Sequence, residues 1–188
     1  MAADSLVGMT SLTIGTLETF PAASRPDLLA DPTAAAIGVL PQATAAAIDA
    51  DLADTAAFCQ AYDVSLAASA NCVVLTGKRE GVATWAAAIV LATTRADVNG
   101  AIRRHLNLRK VSFAPMDEAT SRTGMEYGGI TPVGLPEGWQ ILIDSAVIAA
   151  GPVVIGSGLR RSKIVVDGAD LALLPGAVVI EDLAKPVS

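Results

Sequence analysis

The chain has 188 residues, 52% of them hydrophobic but only 4% aromatic, and its net charge is −6. That length is enough for one domain with its own core of small aliphatic side chains, with no need of metal or disulfide support. No unbroken apolar run approaches the ~20 residues of a membrane span, and the acidic balance argues against a general nucleic-acid coat.

The N-terminus, MAADSLVG, has no basic segment ahead of an apolar one, so no secretory signal is expected and the cytoplasm is the default compartment. Residues 1–48, rich in Ala, Pro, Thr and Asp, are expected to be an extension packing on a domain of residues 49–188. DADLADTAAFCQAY (49–62) predicts a helix capped by Asp49 or Asp51. CVVLTG (72–77) and TWAAAIVLATT (84–94) predict a hairpin with the polar tip GKREG. RADVNGAIRRHLNL (95–108) predicts a helix with Val98, Ile102 and Leu106 as its stripe, weakened by Gly100. KVSF then reads as a short strand, and PMDEATSR as a short helix with Pro115 near its start. AVIAAGPVVI (146–155) reads as buried strands and turns. WQILID (139–144), PVVIGSG (152–158) and KIVVDG (163–168) are strand-like, and ADLALL is a last helical turn. Strands outnumber helices, which predicts an α/β (α+β) domain with a mixed, largely antiparallel sheet and flanking helices.

Familiar catalytic patterns are missing. Cys59 and Cys72 match no metal or redox spacing and read as buried free thiols of a reducing compartment. The single histidine, His105, lies on a predicted helix with a surface or boundary role, and no GxSxG elbow presents a serine. GSGLRRSK (156–163) resembles a phosphate loop, but it lacks the second glycine before Lys163 and leads into a strand. An enzyme built this way would work by positioning and backbone electrostatics.

The stretch GMEYGGITPVGLP (124–136) suits such work, with glycines at 124, 128, 129 and 134 and prolines at 132 and 136. Its backbone N–H groups can converge on a ligand and stabilise an oxyanion. It reads equally well as a tight connection between a helix and a strand. Charge is also unevenly spread: residues 1–60 hold seven acids and one base, Arg25. Residues 95–122 hold Arg95, Arg103, Arg104, Arg109, Lys110 and Arg122 against Asp97, Asp117 and Glu118, and a smaller cluster is Arg160, Arg161 and Lys163. Such clusters are either solvated surface or a local face for a phosphate backbone.

RKVSFAPMDEATSRTGMEYGGITPVGLP resembles the core signature of the YbaK/EbsC family, the prolyl-tRNA editing-type aminoacyl-tRNA deacylases. The matching GxxxP loop runs Gly128, Gly129, Ile130, Thr131, Pro132, Val133 and Gly134, and VVIGSGLRRSKIVV resembles the family's later strand, glycine turn and strand. The resemblance covers about residues 50–183. It implies a compact α/β domain that hydrolyses the ester between a wrong amino acid and the 3′ end of tRNA, guarding translation fidelity without metal or other cofactor. Gly128 would place its backbone near the scissile carbonyl, and the substrate's own groups would assist attack. Gly129, Thr131, Pro132, Gly134, Ser157 and Gly158 would line the substrate site with Thr93, Met125 and Tyr127, each of which reads equally as core or loop packing.

Two positions depart from the family pattern. Asn71 stands where the family usually has a lysine, and Lys163 stands where it often has Asp or His. Lys163 is therefore expected to replace the family lysine across the same pocket, with Asn71 as a neutral partner. The bland reading makes Asn71 a strand cap and Lys163 surface, with catalysis lost. Arg109, Lys110, Arg160 and Arg161 are candidates for the acceptor-stem phosphates, with surface solubility as the equal alternative. The expected activity is trans-editing of mischarged tRNA by a freestanding hydrolase. The alternatives are a catalytically silent module that binds an acceptor end or small ligand, and an esterase with an unrelated substrate.

Overall fold

Runs of β-branched and alanine residues make the strands of this protein, and Asp49, Asp97, Asp144 and Asp167 each cap a short helical segment between them with a side-chain hydrogen bond. The computed structural model describes residues 11–187. After β1 (Phe20–Pro21) come two 3-10 turns, α1 (Asp31–Ala36), a further turn and β2 (Thr44–Ala47). A turn at Ala50–Leu52, α2 (Thr55–Ala61) and a turn at Leu66–Ala68 lead into the long hairpin of β3 (Ala70–Arg79) and β4 (Val82–Leu91). Next are β5 (Thr94–Ala96), a π-helical turn (Val98–Ile102) continuing into α3 (Arg103–His105), β6 (Val111–Phe113), α4 (Met116–Thr123) and β7 (Gln140–Asp144). The order ends with α5 (Ser145–Ala149), β8 (Pro152–Gly156), β9 (Ser162–Asp167), a 3-10 segment (Gly168–Leu173), β10 (Ala177–Ile180) and β11 (Ala184–Pro186).

The strands form three sheets. The first has the order β1-β2-β9-β8 and is antiparallel throughout. The second has the order β10-β7-β4-β3-β6, with β10, β7 and β4 mutually parallel and β3 antiparallel to both of its neighbours. A small antiparallel ribbon joins β5 to β11. The expected mixed, largely antiparallel α/β architecture is thus observed, divided among three sheets.

Period-two alternation divides the sheet faces between separate cores. Ile89, Ile141 and Ile143 of the second sheet meet Val153, Ile155, Ile164 and Val166 of the first, with Leu28, Leu29, Ile37 and Leu40 from the N-terminal segment. On the first sheet's other face, Ala46, Val154 and Val165 pack on Phe58 and Cys59 of α2. On the second sheet's other face, Leu75, Ala88, Val90 and Leu142 pack on Ile102, Leu108 and Leu183. β2 lies between β1 and β9 within the first sheet, so residues before 49 are woven into the core.

Local structure departs from expectation where nonlocal contacts intervene. The helix expected over 49–62 is broken into two pieces, with the Asp49 carboxylate accepting from the Asp51 N–H at 2.9 Å to start the first. The helix expected over 95–108 yields Thr94–Ala96 to strand pairing with β11. The Asp97 carboxylate then accepts from the Gly100 and Ala101 N–H groups, each at 3.1 Å, and winds the next residues as a π turn. The apolar run at 146–155 begins as α5, because the Asp144 carboxylate caps it by accepting from the Ala146 N–H at 2.8 Å. The two tryptophans, Trp85 and Trp139, stack with ring centroids 5.3 Å apart, and the Arg122 guanidinium of α4 lies 4.3 Å from the Trp85 ring centroid.

Candidate active site

A cavity of about 530 Å³ opens where β3, β8 and β9 meet the glycine loop, α4 and the start of α2. Its wall includes Ala70 to Val74 of β3, Val154 to Gly156 of β8, Lys163 of β9 and Asp54 and Thr55. Phe113, Met116 and Ala119 close one side, and Tyr127, Gly128 and Ile130 form the rim. Gly128, Asn71 and Lys163, far apart in sequence, thus share one cavity.

The glycine loop is fixed by the β8–β9 turn. The Glu126 N–H donates to the Gly158 carbonyl at 2.9 Å, and the Gly158 N–H donates to the Gly129 carbonyl at 2.7 Å. This backbone contact requires glycine on both sides: a Cβ on Gly129 would lie 2.6 Å from the Leu159 carbonyl carbon, and one on Gly156 would strike the Gly129 oxygen. Arg160 adds a clasp. Its backbone N–H donates to the Glu126 carboxylate at 2.7 Å, Nη1 to the Tyr127 carbonyl at 3.3 Å and Nη2 to the Ala50 carbonyl at 3.2 Å. In a planar trans peptide the C=O and N–H leave on opposite edges, so holding the Tyr127 carbonyl also aims the Gly128 N–H the other way. Among the described residues, neither the Gly128 nor the Ile130 N–H has a backbone or side-chain acceptor. Gly128 itself has φ +78°, and a Cβ there would collide with the Arg160 guanidinium.

Lys163 is 9% exposed; its Nζ donates to the Ala53 carbonyl at 3.0 Å and sits 5.2 Å from the Phe58 ring centroid. Burial lowers its pKa, and the nearby Arg160 charge lowers it further. Asn71 Oδ1 accepts from the Thr55 hydroxyl at 2.8 Å. Cys72, on the same wall, has its thiol pushed up to about 12 by burial, so it offers no thiolate nucleophile at neutral pH. Cys59 is buried beneath the first sheet, and burial raises its pKa too. Among the described residues no group of three or more His, Cys, Asp or Glu side chains is placed to hold a metal ion. His105 bonds to Gln140 at 3.0 Å, on an exposed surface.

The remaining residues singled out in the sequence lie outside this wall. Thr93 is exposed in the β4–β5 turn. Met125 is buried beneath the loop, where its sulfur accepts from the Thr131 N–H at 3.5 Å. Gly129, Thr131 and Pro132 are buried behind the rim, and Gly134 packs on Pro32. Ser157 braces the β8–β9 turn through the Ser162 hydroxyl at 2.8 Å, and Gly158 packs against Ala30. Arg160 and Arg161, candidates for the acceptor-stem phosphates, both make hydrogen bonds within the protein. Arg160 is the loop clasp, and Arg161 Nη2 donates to the Asp27 carbonyl at 2.9 Å, anchoring the N-terminal segment. Arg109 and Lys110 are exposed ahead of β6. The Arg160 clasp and the Phe113, Met116 and Ala119 wall were not identified in the sequence, because only the tertiary fold brings them to the loop.

Fold and cavity together define a single α/β domain with a candidate substrate pocket. A family model for the aminoacyl-tRNA editing domain matches residues 49–174, more than half of the chain, and the protein belongs to that family. No curated protein gives a significant match. Among solved structures, a protein proposed as a trans-editing enzyme for prolyl tRNA synthetase aligns over 89% of this chain and 99% of its own, with TM-score 0.66 and 22% identity. A scaffold used for epitope backbone grafting by computational design aligns over 84% of this chain and 97% of its own, with TM-score 0.71 and 19% identity. A hypothetical protein aligns over 75% of this chain and 90% of its own, with TM-score 0.67 and 19% identity. At these identities the structural matches establish the fold. Membership of the editing family implies interaction with a tRNA substrate. No described helix is long and apolar enough to cross a membrane.

Proposed function

We propose that the protein is a freestanding trans-editing hydrolase of the prolyl-tRNA editing type, deacylating mischarged tRNA with its GxxxP loop and without metal. The observation that carries this reading is the clasped Gly128 loop on the rim of the cavity that Asn71 and Lys163 also line, with two backbone donors that have no acceptor among the described residues. The scissile carbonyl lies against the Gly128 N–H, which strengthens its hydrogen bond as an oxyanion develops. Water adds to the carbonyl carbon and the ester C–O bond breaks, leaving free amino acid and a ribose hydroxyl. The substrate's own hydroxyl and amino groups assist proton transfer. Lys163 supplies a cation to the same cavity, and the Asn71 amide supplies neutral hydrogen bonds where the family usually has charge.

Incubation with a panel of mischarged tRNAs tests this. Release of free amino acid by the intact protein is expected. Tight tRNA binding without turnover would instead identify a silent binding module, and turnover of small esters independent of tRNA would identify an esterase.

A further inference from the structure

The sequence from 76 to 112 holds seven of the chain's 13 basic residues and two of its 19 acids. The fold draws four of these cations together. Lys78 and Arg79 end β3, and Arg109 and Lys110 lead into β6. Register pairs Gly77 with Val111, and Gly77 is so close to the incoming strand that a Cβ there would lie 2.6 Å from the Lys110 carbonyl oxygen. All four side chains are exposed, and none pairs with a carboxylate among the described residues. Of the two acids, Asp97 is committed to Lys185 at 3.1 Å and to its own turn, while Glu80 stands at the hairpin tip beside the four cations. In a protein of net charge −6, this leaves a basic ledge of four cations and one acid at one end of the second sheet.

The two strands that carry the ledge also reach the cavity. Val74 of β3 and Phe113 of β6 both line it. At ~3.3 Å per strand residue, Lys78 lies ~13 Å beyond Val74 and Lys110 ~10 Å beyond Phe113. We infer that Lys78, Arg79, Arg109 and Lys110 form the surface that holds phosphates of the tRNA acceptor stem while its 3′ end enters the cavity. The inference rests on the tRNA substrate of the proposed function. Arg160 and Arg161, the other two basic residues considered for the acceptor stem, make hydrogen bonds within the protein.

The test is equilibrium binding of uncharged tRNA by fluorescence anisotropy over a range of salt concentrations. It compares the intact protein, the fourfold Gln variant at these positions and Arg95→Gln. Arg95 is exposed on β5, beyond the opposite end of β4. The fourfold variant is expected to bind at least tenfold more weakly, with its log–log salt slope reduced by about one for each cation removed. Arg95→Gln should match the intact protein. Lys78→Gln and Lys110→Gln alone should each reduce the slope by about one, which keeps the test decisive if the fourfold variant misfolds. Unchanged affinity and slope in a folded variant would overturn the ledge while leaving deacylation intact. Ledge-dependent binding with no amino-acid release would leave the ledge intact and overturn deacylation.

Discussion

Gly128 has φ +78°, which L side chains rarely adopt, and a Cβ there would push aside the end of the Arg160 side chain that clasps the loop. Gly128→Ala should cost about 1–3 kcal/mol in backbone strain. If it also displaces the amide donor, deacylation should fall on the order of 10²–10³-fold. Thermal melts and single-turnover deacylation together check this; an unaltered rate would remove Gly128 from the mechanism. Lys163 poses a different balance. Its folded pKa lies below the ordinary 10.5 through burial and then the Arg160 charge, so between the two values the unfolded chain binds more protons. Stability should therefore rise as pH climbs through the depressed value toward 10.5. Lys163→Met should lose that rise and gain on the order of 1 kcal/mol at neutral pH, about 2–4 °C in Tm. The same variant should lose turnover. A melt series over pH beside the deacylation assay reads both effects, and retained turnover would show Lys163 to be a structural cation only.

At the scale of elements, Asp97 shows how one capping side chain redirects a segment. Its carboxylate holds the Gly100 and Ala101 N–H groups and meets Lys185, and these contacts lower its pKa. Asp97→Ala should cost about 1 kcal/mol. The carboxylate's contribution is present above its unfolded pKa, near 3.8, and is lost as pH falls through the lower folded value. Denaturant melts at neutral and acid pH check the size and the sign. The same segment marks where sequence reading stopped. The β3–β4 hairpin was legible because its pattern and turn are local, and Glu80 and Gly81 both take positive φ at the tip. β10 and β11 were not, since each is held by a partner distant in sequence. The run SAVIA fits strand and helix patterns equally until the Asp144 cap is seen. The glycine loop was legible from composition. The role of Arg160 was not, because a clasp and a phosphate ligand look alike in one dimension.

For the molecule as a whole, the family match starts at residue 49, but the core starts earlier. β2 pairs Ala46 with Lys163, so the strand carrying the cavity's lysine is flanked by the N-terminal segment. A chain beginning at Asp49 would expose that edge of β9 and lose Leu28, Leu29, Ile37 and Leu40 from the main core. It should aggregate or lose cooperative unfolding. A sharp melt within a few degrees of the full chain, from a monodisperse species, would show the segment to be dispensable.

The stack of Trp85, Trp139 and Arg122 gives the molecule a built-in optical probe. These are the chain's only two tryptophans and they touch, so intrinsic emission reports one location, where α4 lies on the second sheet. Fluorescence will follow loosening of the helix that closes the cavity, while fraying of the first sheet passes unseen. Far-ultraviolet dichroism recorded beside it will tell whether the two sheets melt together.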